Sequence, residues 1–446
     1  MTSDLESANW SDQFGSVTSS VDIRIDSDLW QVITSSVYDF SRREQAGVLF
    51  VRTRGSKRDR MVIGYDFLVV SDEYVIDHRL GLRYDGRFNL RVAERAESSN
   101  CGAILIHAHP TQSPPQPSER DATLGADFMR FMKRRQPEET HGLLVVGDKS
   151  VTGICDLTDG LRTVNRVVVA GIPLTILPSH SATAGSHDNG DRQLLAIGAE
   201  GQRALEDSTI AVIGISGGGS HVVQQLIHAG VGKLIVIDND TVDGSNLRRL
   251  VGAVRSDVDN TKKIVIPART AAAVRKSVEV EAIDDIFPSS RTINALMNAD
   301  VIIGCVDNWG SRDALNNFAL LNRVPYIDIG ASVVVPSGGQ AMRVGGQITL
   351  VSPDGPCLRC MGILTDKRVE ANRKAKQGYS EEAVEPQVVS INGTLASEAV
   401  TTAMMLIAGD HRLERYRRYR YPPGSISVVS AERQIDCPAC LAAGLN

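Results

Sequence analysis

Three absences narrow the class of this protein before any motif is considered. No stretch approaches the roughly 20 uninterrupted apolar residues of a membrane span. The opening residues, MTSDLESANWSDQF, carry neither the positive segment nor the apolar run of an export signal. A cytoplasmic protein with no membrane partner is expected. A basic surplus is also missing: 48 Lys and Arg stand against 53 Asp and Glu, a formal charge of -5. Such a chain has no field to gather nucleic acid or an anionic membrane. Its one dense basic run, Arg415 to Arg420, is short and reads as a solvated helix end. Finally, there is no even-numbered disulfide framework. Of seven cysteines, four form two C-x-x-C pairs, a pattern that belongs to thiol chemistry in a reducing compartment.

What is present is ordinary globular material, 42% hydrophobic and 23% charged over 446 residues, enough for two or three compact domains. Residues 1–20 are polar and Ser-rich, a mobile tail. A second polar stretch, SHSATAGSHDNGD at 179–191, reads as a linker between a domain at 21–178 and another at 192–446. In the first domain, Leu29 to Ser41 has helical apolar spacing, whereas AGVLFVRT, CGAILIHAHP and GLLVVGD read as strands. In the second, STIAVIGISGGGS is a strand entering a Gly-rich turn, HVVQQLIHAGVG a helix closed by glycine, and KLIVIDND and ADVIIGCVDN are strands. Strand, helix, strand at this spacing predicts a βαβ unit, hence an α/β fold with a mostly parallel, Rossmann-like sheet in the second domain. No internal repeat is visible.

His107 and His109 stand one residue apart at the end of a buried strand, so both imidazoles project from one face, and Asp121 follows a Pro-rich loop. Two imidazoles and a carboxylate leave the fourth position of a Zn²⁺ ion open to water, the arrangement of a catalytic site. A base must still take the water's proton, and Glu44, just before the strand AGVLF, is the candidate. This set resembles the JAMM (JAB/MPN) metallopeptidases, whose pattern is an upstream Glu, then H-x-H, a short loop and S-x-x-D. The resemblance implies a JAB/MPN-type mixed α/β domain. It also implies zinc on His107, His109 and Asp121, Glu44 as general acid/base, and Ser118 as a stabiliser of the tetrahedral oxyanion.

The loop Gly214 to Ser220 follows a strand and opens a helix, where backbone N–H groups can cradle phosphate. An NAD enzyme would need one acidic residue downstream. Here Asp238 and Asp240, then Asn246 and Arg249, Lys262 and Asp307 alternate acid and base in a way that suits ATP, magnesium and a developing pyrophosphate. This string resembles the ThiF/MoeB family, which includes the adenylation domain of ubiquitin-activating enzymes, from Arg192 to the end of the chain. The resemblance implies that Gly214, Gly217 and Gly219 form the nucleotide loop and that Asp238 holds the ribose. Asn246, Arg249 and Lys262 would contact phosphates or position the substrate carboxylate, and Asp307 would bind Mg²⁺. Arg192 would reach into a partner subunit's site, which implies a homodimer.

Cys357 with Cys360 and Cys437 with Cys440 are two thiolate hairpins that together offer four sulfurs, a closed structural zinc site. The segment Met361 to Val400, where ubiquitin-activating enzymes carry a nucleophilic cysteine, contains none. Cys101, Cys155 and Cys305 lie in or beside apolar stretches and read as buried, inert thiols. Both domains therefore point to the C-terminus of a small ubiquitin-like protein, trimmed or deconjugated by the first and adenylated by the second. The acceptor thiol would come from a conjugating enzyme or a sulfur donor. Activation of a sulfur-carrier protein for thiocarboxylate formation uses the same residues, and a scaffold with one dead site is the non-catalytic alternative.

Overall fold

A computed structural model describes residues 17, 19–38, 45–56, 59–77, 83–109, 114–179, 192–334, 343–376 and 387–445. The described residues fall into two compact units, one within 1–169 and 175–184, the other within 170–174 and 185–446. Among them no helix is long and apolar enough to cross a membrane. Glu44 and most of the expected tail and linker lie outside the described residues.

The first unit is built on eight strands. In chain order β1 (Ser20–Asp26) leads into α1 (Ser27–Val37), followed by β2 (Ala46–Arg54), β3 (Met61–Val69), a small hairpin of β4 (Val75–Asp77) and β5 (Arg83–Tyr84), and α2 (Gly86–Ser99). Then come β6 (Gly102–Ala108), α3 (Glu119–Arg135), β7 (His141–Val146), β8 (Val151–Leu157), β9 (Gly160–Ala170) and β10 (Thr175–Pro178). The sheet runs β1-β3-β2-β6-β7-β8-β9-β10, with a further β1–β9 pairing that closes its first seven strands into a ring. Helix α1 starts two residues before its first expected position because Asp26 caps it, its Oδ1 accepting the Leu29 N–H at 2.8 Å.

Strand β6 is buried along its whole length. Its side chains alternate between two cores: Ile104 and Ile106 join Ile23, Leu49 and Leu144, whereas Ala103 and Leu105 join Phe88 of α2 and Phe128 and Met132 of α3. This two-faced burial is why the strand reads as a continuous apolar run.

The second unit begins with α4 (Arg192–Glu206), interrupted at Gly198, then β11 (Thr209–Ile213), α5 (Gly217–Ala229), β12 (Lys233–Ile237), α6 (Val265–Val274), β13 (Glu279–Ile283) and α7 (Ser290–Leu296). It continues through β14 (Val301–Gly304), α8 (Trp309–Asn322), β15 (Tyr326–Val334), β16 (Arg343–Val351), α9 (Asp366–Lys376), α10 (Val389–Ile407), β17 (Tyr416–Tyr421), β18 (Ser425–Val428) and α11 (Pro438–Ala442). The sheet order is β13-β12-β11-β14-β15-β16-β17-β18. Its first five strands are parallel, and β16, β17 and β18 add antiparallel pairings. The mostly parallel sheet expected from the βαβ spacing is thus present, in five of its eight strands. Helix α5 opens at Gly217, earlier than the apolar spacing predicts, and ends on left-handed Gly230.

One reading is corrected. The basic run Arg415 to Arg420 is not a helix end, because Tyr416–Tyr421 forms β17 between β16 and β18. Its period is two: Arg417 turns to Glu398 (2.8 Å) on α10, whereas Arg418 stacks over Tyr416.

Candidate functional sites

Strand order reverses between β11 and β14, and in open α/β sheets the ligand crevice lies outside the carboxyl ends of the strands at such a reversal. The loop 214–216 sits there. Its start is tied across the sheet, with Gly214 N–H donating to the Ile237 carbonyl at 2.9 Å and Cys305 N–H to Ile213 at 2.8 Å. Gly214 has φ +88°, and a Cβ on Gly219 would lie 1.8 Å from the Gly214 carbonyl oxygen. Neither position admits a side chain. The first turn of α5 begins without a side-chain cap from Ser216, which leaves its leading N–H groups available to an anion.

Of the other expected residues, Asp238 and the segment carrying Asn246 and Arg249 are tied to the loop and to α5 by hydrogen bonds, whereas Arg192 is not brought to it: its neighbour Gln193 bonds the Ala229 carbonyl at the far end of α5. Asp238 follows β12 and accepts the Ile215 N–H at 2.7 Å on one oxygen and the Asp240 N–H at 2.8 Å on the other. Burial raises its pKa despite those bonds and the nearby Lys263 charge. Asn246 and Arg249 belong to a 3-10 turn that is held against α5 by the Val251 N–H, which donates to Ser220 Oγ at 3.0 Å. Asn246 is buried with its Oδ1 unsatisfied, and Arg249 Nε likewise has no partner. An anion would complete the Arg249 donor, whereas Asn246 Oδ1 accepts and would be completed only by a donor such as a hydroxyl. Lys262 reaches the Asn239 carbonyl (2.7 Å) and Asp284 (3.2 Å). Asp307 is exposed just beyond β14, and Arg192 is exposed at the start of α4. Sequence reading passed over Lys263, which is buried and pairs with Asp240 at 2.7 Å. Its adjacency to Lys262 was the available signal.

Below the crevice, Arg312 on α8 and Asp328 on β15 form a buried ion pair, and Tyr326 donates to the same carboxylate at 2.8 Å. Cys305 lies beside this group, and burial drives its thiol pKa upward. Burial also raises the Cys101 thiol and pushes that of Cys155 up to about 12. None of the three has the character of a nucleophile.

Four sulfurs converge where the turn after β16 meets α11. Cys357 and Cys360 are 3.7 Å apart, Cys357 and Cys437 3.6 Å, and Cys360 and Cys440 3.8 Å. Tetrahedral zinc with ordinary Zn–S bonds sets sulfurs roughly 3.8 Å apart, so the residues present fit the metal. Hydrogen bonding from Cys440 lowers the Cys357 pKa against the effect of burial. The Gln434 N–H also points at Cys360 Sγ, 3.4 Å away.

In the first unit, His107 continues the β6 face that carries Ala103 and Leu105 beneath α3. Ser118 caps α3, and Asp121 returns the interaction in a capping box. The box fixes the carboxylate, placing Asp121 Oδ1 3.8 Å from His107 Nε2 and Oδ2 3.3 Å from His109 Nε2. A tetrahedral zinc would separate such nitrogen and oxygen ligands by about 3.3 Å. The ligand atoms of these three residues all lie within 4.8 Å of one another. Across its ring, His109 Nδ1 meets the Gln116 carbonyl at 3.0 Å, which would leave Nε2 as the ligating nitrogen. Burial of Asp121 opposes ionisation, but bonding to His109 and Ser118 and the charge of His107 hold its pKa at about 2. The Ser118 hydroxyl donates to Asp121 at 2.7 Å, so in this geometry it orients the carboxylate. Ala46, Leu105, Leu124 and Leu143 make the apolar wall of the adjoining cleft, and Arg120, which sequence reading did not single out, lines its polar side.

Residues 190–439 match the ThiF family. The SAMP-activating enzyme E1 of Haloferax volcanii is 28% identical over 253 residues, 56% of this chain and 86% of that protein. The sulfur carrier protein ThiS adenylyltransferase of Escherichia coli is 26% identical over 253 residues, 56% of this chain and 93% of that protein. The solved structure of E. coli MccB with MccA-N7isoASN has a TM-score of 0.49 at 19% identity, covering 57% of this chain and 75% of that one. The first unit lies outside the span matched to the family.

The four-sulfur cluster yields a direct expectation. Replacing Cys437 with Ser should remove one zinc equivalent per chain in metal analysis and lower the melting temperature of the second unit by about 10 °C. Unchanged metal content would contradict the assignment.

Proposed function

The chain belongs to the ThiF family, and on that premise we propose that its second unit adenylates the C-terminal carboxylate of a small ubiquitin-like or sulfur-carrier protein. The observation that carries this reading is the crevice: an uncapped helix N-terminus behind side-chain-free glycines, with Arg249 holding an unsatisfied donor nitrogen beside it. A carboxylate is a poor electrophile. Its attack on the α-phosphate of ATP forms an acyl–phosphate bond, breaks the α–β anhydride and releases pyrophosphate, giving an acyl-adenylate. Negative charge builds on the phosphates, where the α5 N–H groups, Arg249 and Lys262 can meet it. Asp307, exposed and with no ion pair among the described residues, is the residue proposed to hold Mg²⁺. Asp238 is proposed to hold the ribose, with Asp240 beside it, and Arg192 to complete the site of a second subunit.

With no cysteine between Met361 and Val400 and the other three free thiols buried or pushed upward in pKa, the acceptor sulfur is supplied by another protein. That favours sulfur-carrier activation over transfer to a conjugating enzyme, and one of the relatives named above is a sulfur carrier protein adenylyltransferase. Incubation with ATP, Mg²⁺ and a candidate carrier should yield pyrophosphate exchange. Asp307→Ala should lower it at least about 100-fold while leaving the fold intact. Absence of exchange in the unaltered protein with every carrier of this class would remove the reading.

A second activity rests on a separate observation, the convergence of His107, His109 and Asp121 beside a cleft. We propose that these residues hold a zinc ion with an open position and that the first unit hydrolyses a peptide or isopeptide bond at the C-terminus of the same carrier. Bound zinc would supply Lewis acidity and an activated water. Asp121 orients through Ser118, and Glu44 is the base this reading requires. A carrier extended by a few residues should be trimmed by the unaltered protein. His109→Ala should abolish trimming and leave pyrophosphate exchange unchanged, whereas equal trimming by the variant would contradict the assignment.

A further inference from the structure

The adenylating crevice has a wall that its sequence motifs do not include. Helix α10 packs beside α5, and the two meet at their first turns. A Cβ on Gly217, the first residue of α5, would lie 2.2 Å from the Asn392 side-chain nitrogen and 3.1 Å from Gln387 Oε1. One turn further along α5, His221 hydrogen-bonds the Val389 backbone, and its ring lies 3.2 Å from where a Gly393 Cβ would be. The two first turns are therefore fixed together, and neither Ser216 nor Val388 caps its helix with a side chain.

Asn392 is 7% exposed, and its Nδ2 has no hydrogen-bond partner. An amide donor buried without a partner costs about 1–3 kcal/mol, and a native site tolerates that cost where a ligand supplies the acceptor. The acceptor must sit at the start of α5, because that is where the amide lies. On the next residue, Gly218, a Cβ would meet nothing within 4 Å, so space for a ligand opens beside this turn. Two uncapped helix N-termini at one point also favour a group of negative charge.

We propose that Asn392 is a nucleotide-contacting residue of the adenylating site: its carboxamide donates a hydrogen bond to a non-bridging oxygen of the phosphate seated on the first turn of α5. The assignment rests on the adenylation reading above and adds to it a neutral donor from α10, about 175 residues downstream of the glycine loop. A neutral donor stabilises phosphate oxygens without competing with Lys262 or Arg249 for charge. It also explains why Gly217 carries no side chain, since any Cβ would displace the amide.

The test compares binding of ATP·Mg²⁺ and of adenosine to the full chain by calorimetry. Binding of ATP·Mg²⁺ by the unaltered protein establishes the nucleotide site itself, and its absence would defeat the adenylation reading rather than this assignment. Given that binding, Asn392→Ala should weaken ATP about ten-fold, and Asn392→Asp, which sets a carboxylate against phosphate, about a hundred-fold. Adenosine, which has no phosphate, should bind all forms equally. Should either variant unfold, Asn392→Ser retains a shorter donor in a smaller volume and should show an intermediate loss for ATP alone. ATP affinity equal to that of the unaltered protein in the Asp variant, or parallel losses for ATP and adenosine, would overturn the proposal.

Discussion

The second unit depends on one steric constraint, the contact of a glycine-lined backbone with its own neighbours. Gly219 sits so close to the Gly214 carbonyl that a Cβ would overlap it at 1.8 Å, and Gly217 is filled in the same way by Asn392. These contacts draw the start of α5 down into the crevice between β11 and β14, where leading N–H groups can face an anion directly. Three residues of the constellation, Asp238, Asn246 and Arg249, are tied to that turn or to the helix it opens. Asp238 grips the loop through the Ile215 N–H, and Ser220 anchors the segment carrying Asn246 and Arg249. The Arg312–Asp328 pair with Tyr326 gives the strands beneath it a buried polar support.

The two groups of metal-ligating side chains obey different rules. The four cysteines are buried and close in on one another, leaving no place for substrate, so a metal there would join the turn after β16 to α11. The triad of the first unit is more open, with His109 and Asp121 only half-buried beside a cleft. A closed thiolate set contributes to folding, whereas an open set of two imidazoles and a carboxylate leaves room for chemistry. The same distinction was available from ligand type alone, before any distance was known.

Much of the core architecture was legible because its signals are local. The strands around GAILIHA and TIAVI are apolar runs ending at chemically distinctive residues, and the glycine loop between β11 and α5 announces its own backbone geometry. The antiparallel strands β16, β17 and β18 were not read, since YRRYRY presents charge density first and its two-residue period only once β16 and β18 flank it. Asn392 was invisible for a different reason. It resembles any helical asparagine until folding brings α10 against Gly217, and no spacing rule spans that separation. Ser118 shows the limit from the other side: the S-x-x-D spacing identified it, but the capping box decides what its hydroxyl does.

We propose that the turn 214–220 is the phosphate seat of an adenylating site. Amide hydrogen exchange with and without ATP·Mg²⁺ tests it most directly, since it reports on the backbone groups themselves. Nucleotide should slow exchange in 214–220 and 246–249, with no change across 102–121 in the first unit. Unaltered exchange at 214–220 under saturating nucleotide would contradict the account.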